Sequence, residues 1–501
     1  MKNIYIRFLV LLLAVTTTAC GDLFDVVPFD QMDKDKTYSN ERNVNAALNG
    51  LYLELAQDAL YGKELSFGMI EAMAQHYLTP SKHHYYYIAQ YEYSQVDAEG
   101  MLNSVWTGAY RLIAQCNEFL YEIEQRKDRF PEWKYDIYRG EAIAIRTMLH
   151  FDMLRLFGPV YQRDMTTPAI PYYDESTYVA SPLLSNQEIM AKLLADVDEA
   201  LNCLKNDPIL ETGLNMDEDS EDSDAFFTTF RNFRMNIYAV SILKARMCLY
   251  IGDDANKAEA YRITTAILED KNPLNASKTT DFSSLFAFRH SPFNYDDERM
   301  GSDYVLFQEV IFGIQNTQRD RLQSDNFVST LSNTKILAGG KPFYNYLYDT
   351  ENGIVGKDNS IRKEIWQWNN NLEMNVMLKY MTNIDSYTGQ TQCMMRLGEV
   401  FLIASEAAPD TESKRYWVEQ LRIFRGQTAD NAAGLEDFQL RELIYMELTK
   451  ETYGEGQAFF AAKRNFHYDF LDQDKNSVQM NSSKFTPPLP KSETNYRDEK
   501  E

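Results

Sequence analysis

The chain has 501 residues, 44% hydrophobic and 25% charged, a globular composition long enough for one large domain or two to three smaller ones. A formal net charge of −24 argues against nucleic acid and against anionic lipid headgroups as partners. Of five cysteines, Cys116, Cys203, Cys248 and Cys393 are widely scattered with no CxxC pair, so neither a zinc site nor a disulfide framework is indicated. They read as small buried hydrophobes.

The N-terminus reads "MKNIYIRFLVLLLAVTTTACGD". Lys2 and Arg7 form a positive n-region, and Phe8 to Val15 form an apolar core too short to span a bilayer. Thr17-Thr18-Ala19-Cys20 resembles the bacterial lipoprotein processing box, which makes 1–19 a signal peptide and Cys20 the lipidated first residue. An ordinary secretory signal with an incidental cysteine is the alternative. Acyl chains (palmitate among them) on Cys20 would anchor the chain, at roughly 0.8 kcal/mol per buried methylene. No later stretch has 18 consecutive apolar residues. The body from Gly21 onward is therefore expected to be exported and tethered by lipid.

The first unusual element is "KHHYYYIAQYEY" (82–93), with two histidines and five tyrosines in twelve residues. It follows neither strand nor helix periodicity, so its rings must point in different directions. "VWTGAYRLIAQCNEFL" (105–120) predicts an amphipathic helix with Trp106 on its core face. In 140–159, Ile145, Leu149, Met153 and Leu156 line one face of a helix that Gly158-Pro159 stops. The acidic run "ETGLNMDEDSEDSD" (211–224) lacks the glycine and closing glutamate of an EF-hand and reads as a solvated loop.

Residues 234–270 predict two antiparallel helices. Tyr238, Ile242, Ala245 and Leu249 line the first, and Ala258, Tyr261, Thr265 and Leu268 the second. Gly252 supplies a left-handed cap between them, and Asp253 and Asp254 supply N-cap oxygens. This looks like a tetratricopeptide-type unit. Residues 285–380 mix β-like runs ("YVLFQEVIFGI", "IWQW") with turns, and functional loops are expected there. Trp366 and Trp368 alternate on one strand face, which favours the core. A second helix pair is expected at 395–425: Leu397, Val400, Phe401, Ala404 and Ala408 form its first face, and Pro409-Asp410 its turn. No fixed period links the pairs, so scattered pairs inside a larger fold are expected rather than a regular solenoid.

Five stretches in order resemble the SusD/RagB family of outer-membrane nutrient-binding lipoproteins from Bacteroidetes-type bacteria. They are "ACGDLFDVVP", "RTMLHFDMLRLFGPV", "RMNIYAVSILKARMCLYIGD", "MRLGEVFLIASEA" and the C-terminal "YGEGQAFFAAKR … FTPPLPKSETNYR". Two departures stand out. Ala458 to Ala462 replaces part of a charged stretch usual in the family, and the closing motif is a looser match.

The resemblance implies a mostly α, SusD-like fold with four tetratricopeptide-like helix pairs and an irregular, loop-rich ligand-facing part with few short strands. It divides the mature chain into an N-terminal region (20–230) and a helix-pair and C-terminal region (231–501) of one compact body. It implies a lipid-anchored protein on the outer face of the outer membrane, where it caps a SusC-like TonB-dependent β-barrel transporter. There it would capture oligosaccharide or another nutrient. Asp22 looks like the surface-export signal of such lipoproteins. Tyrosine rings suit sugar rings and peptides, so His83, His84, Tyr85, Tyr86, Tyr87 and Tyr295 are the candidate ligand contacts. Packing in the core or against the barrel is the alternative for the tyrosine run. No cofactor, metal or catalytic residue is expected: HExxH, GxSxG, phosphate-loop and CxxC motifs are absent. A helical glycosidase and a lipid-anchored scaffold that binds only proteins stay open on residues alone.

Overall fold

A computed structural model describes residues 36–217, 220–288, 303–349, 358, 360–381, 389–427, 432, 434–467 and 469–498. Two units are compact, residues 1–48 and 49–501. The described part of the first holds the beginning of helix α1 (Glu41–Leu55). All that follows concerns the second.

Its scaffold is a succession of helices. α2 (Met69–Met73) and α3 (Tyr86–Ala89) are short, and α4 (Val96–Glu124) is the longest described. Trp106 on α4 is buried and meets Phe157 edge-on at 5.0 Å. α5 (Glu132–Phe157) buries nearly its whole circumference, Ile145, Leu149, Met153 and Leu156 included, as a helix at the centre of a large domain must. It stops at Gly158. The last carbonyls are satisfied from far along the chain, because Lys463 Nζ donates to Leu156 O (2.9 Å) and Gly158 O (2.7 Å). Burial pushes the Lys463 ammonium well below the usual lysine range. α6 (Asn186–Cys203) begins with a Ser185/Glu188 capping box.

The helix pair at 234–270 forms α7 (Ile237–Ile251) and α8 (Asp254–Leu268). Gly252 takes φ +74°, and the Asp253 carboxylate accepts from Asn256 N at 2.8 Å. Tyr238, Ile242, Ala245 and Leu249 are all buried. On α8 the expected face is corrected. Ala258 is exposed and Tyr261, Thr265 and Leu268 are half-buried, whereas Ala260, Ile263, Thr264 and Ile267 are buried. Both stripes have helical spacing; the buried one carries the two β-branched isoleucines, and Tyr261 sits at its edge, accepting from Trp417 Nε1 at 3.3 Å. Ala245 is fully buried in this packing. Ala245→Trp should overpack it at a cost of roughly 1–3 kcal/mol, read as a lower urea midpoint; an unchanged midpoint would count against the packed hairpin.

The second pair is α9 (Leu397–Ala407) and α10 (Thr411–Phe424), with Asp410 accepting from Ser413 N at 2.7 Å; α11 (Asp437–Thr452) and α12 (Ala458–Asn465) follow. Ala408 falls just past α9, as its C-cap. From α4 to α10 each helix packs on the next, and α9 also packs on α11. α8 and α9 are neighbours although residues 269–396 separate them in sequence. The pairs therefore form one continuous stack, and the irregular segment is looped out of it.

That segment supplies most of the remaining strands. β1 (Pro168–Pro171) and β2 (Leu183–Ser185) form a small ribbon before α6. Residues 307–309 turn as 3₁₀ helix, so β3 begins only at Val310 (Val310–Gln315). The segment contains β4 (Ala338–Gly340), β5 (Trp366–Asn369) and β6 (Met374–Met377), then β7 (Thr391–Arg396). β3 pairs with β7, and β4-β6-β5 form a three-stranded antiparallel sheet with β5 at one edge.

Buried charges tie this segment to α10 and α11. Arg425 forms a two-pronged pair with Glu451 (2.7 and 2.5 Å) and another with Glu309 (2.8 and 2.6 Å). Arg362 reaches Glu451 and Glu447 at 2.8 Å each, and Lys450 reaches Glu447 (2.6 Å) and Asp358 (2.8 Å). Arg396 and Lys379 share Glu455. Gly398 is dictated by this network, because a Cβ there would collide with the Glu451 carboxylate. Among the described residues no helix is long and apolar enough to cross a membrane, and no cluster of metal-ligating side chains occurs. Cys116, Cys248 and Cys393 are buried free thiols and Cys203 is half-buried.

Candidate ligand-binding site

The aromatic run divides into an inner and an outer set. Tyr85 is 1% exposed, and its hydroxyl lies 3.0 and 3.1 Å from the Glu64 carboxylate oxygens. His83 is buried, with Nε2 3.3 Å from Ile336 O and Nδ1 accepting from Tyr85 N at 3.1 Å. Tyr91 donates to Met73 O (2.8 Å) and Tyr93 to Lys484 O. These four rings anchor the loop. Two of the expected contacts, His83 and Tyr85, thus turn inward, because their polar atoms find partners there and their rings fill the core. His84 is exposed and Tyr86 and Tyr87 are half-buried, the two tyrosine rings meeting edge-on at 5.2 Å. Burial lowers both imidazoles, His83 to about 4.

The loop is fixed beside the three-stranded sheet. Leu78 N donates to Ala338 O at 2.9 Å, which lays the segment ahead of the run along β4. β6 and β5 follow at about 4.8 Å per strand. Trp366 and Trp368 share one face of β5, as alternation requires, but their fates differ. Trp366 packs edge-on against Tyr453 at 4.6 Å and donates to Tyr348 Oη at 3.2 Å. Trp368 is 39% exposed, which corrects the core assignment made from its spacing. β5 is an edge strand, and the covering residues Tyr453 and Gln473 lie toward Trp366 and Gly339.

Two further residues stand beside Trp368. Asn375 is its cross-strand partner on the same face, and its buried Nδ2 has no hydrogen-bond partner among the described residues. Lys341 Nζ lies 5.7 Å from the Trp368 ring centre. Neither is distinguishable in the sequence from ordinary strand and helix residues. Tyr295, the remaining candidate, falls outside the described residues. The arrangement offers accessible aromatic rings at the loop and at the far edge of the sheet, with no nucleophile–base pair among the residues named here.

Residues 24–209 match a SusD-like family described as starch-binding and associating with the outer membrane. The fold is SusD-like. A SusD superfamily protein of Bacteroides thetaiotaomicron has the same fold, with a TM-score of 0.67 and 17% identity over 91% of this chain and 97% of that one. A SusD-like carbohydrate-binding protein of Bacteroides vulgatus gives 0.64 and 19%, covering 91% and 96%. Surface glycan-binding protein A of Bacteroides thetaiotaomicron gives 0.58 and 16%, covering 93% and 99%. No curated protein sequence matches significantly. The SusD-like fold is thus mostly α, a helix stack with an irregular part and few short strands, as the resemblance implies.

Proposed function

We propose that this SusD-like protein is a non-enzymatic glycan-binding lipoprotein, anchored to the outer membrane through Cys20 and facing the cell exterior. It captures an oligosaccharide and delivers it to a SusC-like TonB-dependent barrel. The observation that carries the reading is the pair of accessible aromatic groups, Tyr86/Tyr87 on a rigidly anchored loop and Trp368 at the sheet edge, within a fold shared with carbohydrate-binding relatives. Flat apolar faces bordered by polar tips hold sugar rings without burying charge. Calorimetry of the mature protein against a glycan panel tests it. Tyr86→Ala/Tyr87→Ala and Trp368→Ala should each weaken the best ligand roughly tenfold or more, the size of a hot-spot contact. Unaltered affinity in both variants would remove this site. New reducing ends on incubation would make the protein a hydrolase instead.

Cys20→Ala should leave the protein without lipid and lost from the cell surface, and co-purification with the barrel should fall with it. Protease shaving of intact cells reads the first effect; equal shaving of variant and wild type would refute the anchor.

A further inference from the structure

Gly339 on β4, Asn375 on β6 and Trp368 on β5 are successive cross-strand partners, so they form one row on one face of the sheet. Gln473 and Tyr453 lie over Gly339 and close the inner end of the row, while Trp368 on the edge strand stays accessible. Asn375 stands between these ends, 5% exposed. The neighbouring Gln473 amide is committed elsewhere: its Nε2 donates to Gln75 O and its Oε1 accepts from Gly340 N, each at 2.6 Å. Asn375 Nδ2 is therefore a buried donor with no acceptor among the described residues, the kind of group that a bound molecule satisfies.

Lys341 adds a charge to the same face. It opens the helix Lys341–Tyr348 directly after β4, yet its ammonium reaches across β6 to lie 5.7 Å from the Trp368 ring centre. The first turn of that helix holds no acidic residue and Gly340 gives it no side-chain cap, so a cation stands where the helix dipole favours an anion. Lys341 forms no ion pair among the described residues. An exposed cation–ring contact is weak beside a charge-assisted hydrogen bond, so the ammonium is available to a carboxylate. The net charge of −24 does not oppose this, because exposed charges beyond about 8 Å are screened at physiological ionic strength.

We infer that the sheet edge takes an acidic sugar, a reading that rests on the glycan capture proposed above. The ring of a uronic acid stacks on Trp368, its carboxylate pairs with Lys341, and one of its oxygens accepts from Asn375 Nδ2. Lys341 then sets the preference for acidic over neutral chains. The test is calorimetry of the mature protein with tetrasaccharides of galacturonate, glucuronate and mannuronate, each beside its neutral methyl ester. At least one acid should bind roughly fivefold or more tighter than its ester, and the preference should shrink as salt is raised. Lys341→Gln should abolish the preference and Lys341→Arg should keep it; the position is exposed, so both variants fold. Asn375→Ala should weaken the acid roughly fivefold or more with circular dichroism unchanged. No binding of any acid, equal binding of acid and ester, or a preference that survives Lys341→Gln would overturn the inference. Neutral glycans separate this failure from that of the proposed function: one that binds through Trp368 leaves the proposed function standing, and only a panel in which neither neutral nor acidic glycans bind removes both.

Discussion

Replacing Glu451 by alanine should cost about 3–5 kcal/mol of stability, the penalty for breaking a buried ion pair from one side. The carboxylate is buried and accepts from both Arg425 and Arg362, themselves buried. Its removal leaves two guanidiniums short of a partner in a site closed by Gly398 and too dry to hydrate them. For a domain stabilised by about 5–15 kcal/mol this is a large fraction, and urea denaturation reads it directly. A midpoint within error of wild type would mean that the neighbouring carboxylates absorb the loss.

The same network sets an acid limit. Burial alone would raise Glu451, but Arg425 and Arg362 overcome it and hold the group down to about 2; Glu447 and Glu455 are lowered in the same sense, against their own burial. A carboxylate whose folded pKa lies below its unfolded value, about 4.3 for glutamate, stabilises the fold above that value. The stabilisation is lost as pH falls from roughly 5 toward 2. Wild-type stability should therefore decline over that window, and Glu451→Ala should show a shallower decline.

Tyr85→Ala and the double change Tyr86→Ala/Tyr87→Ala should separate cleanly although the residues adjoin. Tyr85 is buried and hydrogen-bonds Glu64, whose carboxylate also accepts from Met69 N at 2.9 Å at the start of α2. Truncating it leaves a cavity and an unfilled bond, a loss of about 3–5 kcal/mol. Tyr86 and Tyr87 are half-buried, so the double variant should lose about 1 kcal/mol or less while losing ligand. Thermal denaturation with the glycan titration reads both. Equal destabilisation by the two variants would show that the outer rings are structural.

Local patterns in the sequence determined the helices and their ends. Periodic apolar spacing marked α5 and α7, and Gly252 with Asp253 marked the turn between α7 and α8, because caps and periods act over a few residues. Long-range choices were decided only by tertiary structure. Two stripes on α8 were compatible with its sequence, and packing selected the one with Ile263 and Ile267. "HHYYY" has no period, so only the partners Glu64 and Ile336 show which rings turn inward. Trp366 and Trp368 are alike in spacing, yet Tyr453 covers one and the sheet edge leaves the other accessible. The joining of α8 to α9 across residues 269–396 and the network of Glu309, Arg425 and Glu451 belong to the same class. Ion pairs between residues as far apart in sequence as Glu309 and Arg425 leave no local signature, because what selects them is the low dielectric of a core that exists only once the chain has folded.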